Sequence, residues 1–162
     1  MQILESPLYI NWNYTYKCNF NCKHCYSRLN KNTEELSSRD YINIANKIIS
    51  AKVFQVNLGG GEPLLRKDIF KIIKLLSSKG VKVNLTTNGW IVNELIIQKL
   101  KAAGLGTLFV SLDNTKPEEH DYFRNKKGSF VKAVNCIDLA VKNDMDVILS
   151  TVITKKKFIW HG

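Results

Sequence analysis

At 162 residues the chain is long enough for one domain with a core of its own, and its 44% apolar content is that of an ordinary globular protein. No apolar run approaches the roughly 20 residues needed to span a bilayer, and the N-terminus, with Glu5 and Pro7, lacks a basic segment leading into an apolar one, so the expectation is a cytoplasmic protein with no membrane span and no signal peptide. A net charge of +10 invites nucleic acid as a partner, but only four of the 24 basic residues are Arg, the Lys are scattered, and no basic stripe is interleaved with aromatics, so a solvated Lys-rich surface is expected instead.

Residues 8–14, rich in aromatics, read as a first strand. After a cysteine-bearing stretch, Ser37 or Ser38 can cap a helix running to about residue 50, with Tyr41, Ile44, Ala45 and Ile48 on one face. A second strand over 53–58 ends in Gly59-Gly60-Gly61, and a second amphipathic helix over 68–78 stops at Gly80. A third strand over 81–87 closes on Asn88-Gly89, and a third helix over 93–103 is followed by Gly104. The fourth strand covers 107–112, Ser129 is expected to cap a fourth helix to about residue 142, and a fifth strand covers 145–153. Strands that are nearly continuous apolar runs, alternating with helices, give an α/β fold with a parallel sheet and right-handed crossovers. The pattern suits either part of a βα barrel or an open doubly wound sheet.

In parallel α/β folds, chemistry gathers at the carboxyl ends of the strands, and the unusual residues of this chain fall there. Cys18, Cys22 and Cys25 form a C-x3-C-x2-C cluster after the first strand. Three clustered cysteines cannot pair off evenly, and nothing points to an oxidising compartment, so a structural disulfide is not expected. His24 could complete a Cys3His zinc site, although structural zinc usually takes two separated ligand pairs and His24 abuts Cys25. Three thiolates on a four-iron cluster would leave one iron open to a small molecule. The glycine run after the second strand lets main-chain groups approach a ligand, but lacks the pattern of a phosphate or dinucleotide loop. Ser111 and Asp113 could bond sugar hydroxyls, and Thr87-Asn88 could be a plain turn. Among the remaining residues, His120 reads as a surface turn residue, Cys136 as a small buried apolar side chain, Arg124 as a partner of Asp121 or Glu119 or of a cofactor, and His161 as part of a frayed tail.

Cys18-x3-Cys22-x2-Cys25, Gly60-Gly61-Glu62-Pro63 after the second strand and Ser111-Leu112-Asp113 at the end of the fourth resemble the radical S-adenosylmethionine (SAM) enzymes over roughly residues 6 to 154. Thr86-Thr87-Asn88-Gly89, His120 to Arg124 and Gly128-Ser129-Phe130 resemble the branch that modifies peptides and protein side chains, often with a C-terminal SPASM or twitch domain. The resemblance implies a parallel partial (βα) barrel, with a core domain over 1–154 and a divergent basic tail over 155–162. The family's core usually has six βα units; about five are legible here, so the sixth, with its adenine contacts, is expected to be missing and the fifth strand to form an open sheet edge.

Carried over, the resemblance implies that Cys18, Cys22 and Cys25 hold a [4Fe–4S] cluster whose fourth iron binds the amino and carboxylate groups of SAM. His24 would lie near the adenine, Gly60, Gly61 and Glu62 near the amino group, Ser111 on the ribose and Arg124 facing the methionine carboxylate. The implied reaction is reductive cleavage of SAM to a 5′-deoxyadenosyl radical that takes hydrogen from a peptide or small-protein substrate, with a flavodoxin or ferredoxin as electron donor. A non-catalytic cluster-binding fragment and a small zinc module are the competing readings.

Overall fold

The computed structural model describes residues 6–27 and 34–154. Five strands, β1 (Tyr9–Thr15), β2 (Gln55–Gly60), β3 (Lys82–Thr87), β4 (Thr107–Ser111) and β5 (Asp146–Ser150), form one parallel sheet in the order β1-β2-β3-β4-β5. Between them lie α1 (Ser38–Ser50), α2 (Ile69–Ser77), α3 (Glu94–Ala102), α4 (Pro117–Arg124) and α5 (Ser129–Lys142). Each parallel neighbour requires a crossover, and right-handed crossovers in strictly sequential order lay the helices on one face. A doubly wound sheet would reverse its order at a switch point. This sheet does not, so it is an arc of a βα barrel.

Strand alternation divides the sheet by chemistry. Val56, Leu58, Val83, Leu85, Leu108 and Val110 turn to the helices and pack with Ile69, Ile72, Ile73 and Leu76 of α2 and Ile97 and Leu100 of α3. Each such fully buried side chain contributes about 1.5–3 kcal/mol. The opposite face carries amides in register. Asn11 pairs with Asn57, and Asn57 with Asn84; Asn84 Nδ2 donates to Asn57 Oδ1 at 2.9 Å, and Asn57 Nδ2 donates to Asn11 Oδ1 at 3.3 Å.

Local chemistry sets the helix ends. Ser37 and Asp40 form a reciprocal capping box at α1, and Asn93 Oδ1 accepts the Ile96 N–H at α3. Gly80, at φ +81°, ends the α2 segment in the left-handed region as expected.

Three expectations are corrected. The second strand begins at Gln55 and runs on to Gly60, because the glycines keep pairing with the end of β1. An additional helix, α4, lies where none was expected; Pro117 at its first turn and the acidic Glu118 and Glu119 are its sequence signature. Finally, Ser129 does not cap α5. Gly128, at φ +81°, holds the cap position, and Asp121 of α4 accepts from Gly128 N–H, Phe130 N–H and Ser129 Oγ.

The fifth strand is confined to Asp146–Ser150 and lies at the sheet edge, where Ile148 and Leu149 on opposite faces are about half exposed. No helix among the described residues is long and apolar enough to cross a membrane. The basic tail and His161 lie outside the described residues.

Candidate functional site

The strand ends meet around one cavity of about 200 Å³. Cys18, Cys22, His24, Cys25, Gly60, Gly61, Ser111 and Arg124 all line it, together with Asn88 and the ends of β3 and β5. Glu62 does not. It is fully buried behind the wall, where Oε1 accepts from Thr87 Oγ1 at 2.9 Å and Leu64 N–H at 3.3 Å, and Oε2 accepts from Asn88 N–H at 2.8 Å. Burial pushes its carboxyl up to about 7 against these hydrogen bonds, which pull it down.

The cysteine loop is fastened to β2 by backbone. Gly61 N–H donates to Thr15 O at 2.6 Å and Glu62 N–H to Lys17 O at 2.8 Å. A Cβ at Gly60 would sit 2.3 Å from Thr15 O and one at Gly61 2.1 Å from Lys17 O, so both positions require glycine. Gly60 also has φ +110°.

Further along the loop, Lys23 N–H donates to Phe123 O at 3.1 Å, and the His24 ring stacks on Phe123 with centroids 4.2 Å apart and planes 14° from parallel. Phe20 meets Trp90 edge-on. A partly buried ionic cluster packs beside the loop's far end. Glu35 accepts from Thr15 Oγ1 and from Arg66 Nη1 at 3.1 Å, while Arg66 also pairs with Asp68 and lies 4.1 Å over the Tyr41 ring.

Burial pushes the Cys18 and Cys22 thiols up. At Cys18 the neighbouring Glu62, Cys22 and Cys25 add to the rise, and the Phe20 N–H, 3.4 Å from the sulfur, opposes it. At Cys22 Arg124 opposes it, by charge and by hydrogen bond. Among the described residues, no group of three or more His, Cys, Asp or Glu side chains is drawn together closely enough to hold one metal ion.

At the end of β4 the structure corrects two expectations. His120 is not a surface turn residue: it is 1% exposed, and its Nδ1 accepts the Asp113 N–H at 3.1 Å. Its position within the unforeseen α4 explains the error. Arg124 pairs with neither Asp121, which is spent on the start of α5, nor Glu119; its Nε donates to Asp113 Oδ2 at 2.5 Å. Asp113 is thereby committed, since Oδ1 also accepts the Val152 N–H at 2.9 Å. Cys136, as expected, is a fully buried small side chain beside Ala133 and Ala140.

Thr87 and Asn88 form a turn and join the site at once. Gly89 N–H donates to Thr87 Oγ1 and Trp90 N–H to Asn88 Oδ1, while Asn88 Nδ2 reaches Asn19 Oδ1 at 2.8 Å. Asn19, inside the cysteine motif, carried no chemical signal in the sequence, because its role depends on a partner 69 residues away.

A family model described as the radical SAM superfamily matches residues 12–157. The chain is 33% identical over 154 residues to an AdoMet-dependent heme synthase of Methanosarcina barkeri and 34% identical over 154 residues to the mycofactocin maturase MftC of Mycobacterium ulcerans. Both alignments take in 94% of this chain, which spans 44% and 42%, respectively, of those relatives. Its fold is similar to that of Streptococcus suis SuiB, solved bound to the precursor peptide SuiA, with a TM-score of 0.82 at 19% identity over 94% of this chain and 34% of that one. With a parallel arc, a cysteine loop at its carboxyl rim and a family match spanning nearly every element, the chain belongs to the radical SAM superfamily.

Proposed function

We propose that this chain is the core of a radical SAM enzyme acting on a peptide or small protein, with Cys18, Cys22 and Cys25 holding a [4Fe–4S] cluster. The observation that carries the reading is the joint lining of one cavity by the three thiols, the two glycines after β2 and the ends of β3, β4 and β5. The donor chemistry fits a cluster. Buried, mutually repelling thiols are poor thiolates on their own, and a cationic inorganic centre supplies the missing compensation. A single zinc ion needs four donors converging at about 2.0–2.3 Å, whereas a four-iron cluster takes each thiolate on a different iron.

When bound, the cluster supplies one electron to the SAM sulfonium, whose C–S cleavage gives a 5′-deoxyadenosyl radical that removes hydrogen from the substrate. The chain's own residues bind and orient. Gly60 and Gly61 bring main-chain groups to the cavity wall without a Cβ in the way, as a methionine amino group requires. Glu62 acts behind them by fixing the Asn88 backbone. Ser111 is available to a ribose hydroxyl, Arg124 to a carboxylate, and the His24–Phe123 stack to an aromatic base. A peptide substrate is supported by the kinship with a maturase and by the likeness to a protein solved with its precursor peptide. A flavodoxin- or ferredoxin-like electron donor is the partner that the family reading implies.

Anaerobic reconstitution with iron and sulfide tests the reading. The expected results are a brown, iron-loaded protein that converts SAM to 5′-deoxyadenosine, and loss of both properties in Cys22→Ala. Zinc without iron or sulfide in the purified protein would overturn it. The competing outcome is a domain that binds the cluster without catalysis. Iron uptake without SAM cleavage selects it.

A further inference from the structure

Two nitrogen-bearing side chains from distant elements, Asn88 just after β3 and Arg124 in α4, reach the cavity that holds the thiols. Asn88 Nδ2, which donates to Asn19 Oδ1 at 2.8 Å, also lies 3.9 Å from Cys18 Sγ, and Arg124 lines the cavity with Cys22, where its charge favours the thiolate. Neither donor is at liberty to swing away. The Asn88 side-chain oxygen accepts Trp90 N–H at 2.9 Å, which fixes the amide so that its NH2 faces the cysteine loop, and its backbone N–H is held by Glu62. Arg124 occupies the last turn of α4, just before Asn125 closes the helix in the left-handed region at φ +51°. Its Nε is held by Asp113, which is itself fixed by His120 and by the Val152 N–H.

We infer that Asn88, with an amide N–H near the Cys18 sulfur, and Arg124, a buried cation held in the cavity that Cys22 lines, are positioning residues that set the reduction potential of the cluster bound there. This rests on the cluster reading above and adds what that reading does not contain, a control of potential by side chains from β3 and α4.

The physical reason is charge. One-electron reduction by a low-potential donor adds a negative charge that spreads onto the thiolate sulfurs, and N–H groups aimed at those sulfurs stabilise the reduced form more than the oxidised one. Arg124 is only 8% exposed, so water screens its charge little. Asp113, 3% exposed, offsets part of that charge, so the pair holds the potential below what a lone guanidinium would give.

The sign of each change follows. Arg124→Gln removes the charge and shifts the potential to more negative values, and Arg124→Lys shifts it less. Asn88→Ala removes a long, neutral donor and gives a smaller negative shift. Asp113→Asn leaves the guanidinium unopposed and shifts the potential positive, opposite in sign to the Arg124 variants.

The experiment is an EPR-monitored redox titration with dithionite of the anaerobically reconstituted full chain, wild type and the four variants, with iron and sulfide measured on each sample. The expected order, from most positive, is Asp113→Asn, wild type, Asn88→Ala, Arg124→Gln, with Arg124→Lys between wild type and Arg124→Gln. Potentials indistinguishable from wild type at equal iron content overturn the inference while leaving the cluster reading intact. A wild-type protein that takes up no iron overturns both. Should Arg124→Gln fail to load, Arg124→Lys and Asp113→Asn carry the comparison, and equal potentials in those two overturn the inference.

Discussion

The backbone N–H of Asn88 donates to Glu62 Oε2 across 2.8 Å, tying the end of β3 to the loop that follows β2. Because Asn88 also reaches Asn19 inside the cysteine loop, Glu62 governs the cavity wall without touching the cavity.

Glu62 makes stability depend on pH in an uncommon direction. Its carboxyl is raised from 4.5 to about 7 in the folded chain, so between those values the folded state binds more protons than the unfolded one. Stability from this group is fully present below about pH 4.5 and is lost as pH rises through about 7, a change on the order of 3 kcal/mol at ~1.4 kcal/mol per pKa unit. Urea unfolding of the metal-free protein across this range is expected to show the decline, with a flatter profile in Glu62→Gln. Asp68, lowered to about 2, contributes the opposite slope in a lower window, as pH falls from about 4.

The three glycines after β2 are predicted to differ sharply. Gly59→Ala meets nothing within 4 Å and is tolerated. Gly60→Ala and Gly61→Ala drive a methyl group into the carbonyls of Thr15 and Lys17, and each is expected to cost more than about 2 kcal/mol and to depress iron loading. Denaturant midpoints and iron content of the three variants check this.

Arg66 is the centre of the ionic cluster beside the cysteine loop's far end. Arg66→Met leaves Asp68 without its cation and Glu35 with Lys17 alone, each carboxylate having a side chain only 12% exposed. Because this ionic cluster is only partly buried, a loss of about 1–2 kcal/mol is expected, below that of a fully buried pair. A fall in thermal midpoint that is largely relieved when Asp68→Asn is added would verify the electrostatic cause.

His120→Phe preserves the packed ring but removes the acceptor for the Asp113 N–H. A cost of about 1–3 kcal/mol is expected from the buried unsatisfied donor, read by urea unfolding. His120→Asn, which restores an acceptor, should recover stability only if its oxygen reaches the same N–H.

Most of the frame was legible from periodicity, because each strand and the helix covering it share one apolar pattern. The α1 and α3 starts were legible too, since Ser37 and Asn93 satisfy backbone donors within three residues. The helix α4 was not, because its eight residues carry too few apolar positions for a periodic signal. At the site, the cysteines and glycines announced themselves by spacing and by residue type. The parts that read wrongly, His120, the partner of Arg124 and the commitment of Asp113, all depend on one crowded corner where the end of β4, α4 and the end of β5 converge. Burial of that kind is a property of tertiary contact, and no local pattern encodes it.

The hydrogen bond between Asn88 and Asn19 spans 69 positions, and the one between Val152 and Asp113 spans 39. Such pairings form late in folding, since long loops must close before they repay the entropy. Before those contacts close, Cys18, Cys22 and Cys25 share one segment but lack the walls that Asn88, Ser111 and Arg124 bring to the cavity. Whatever the cavity binds is recognised in full only once the sheet has closed from its first strand to its fifth.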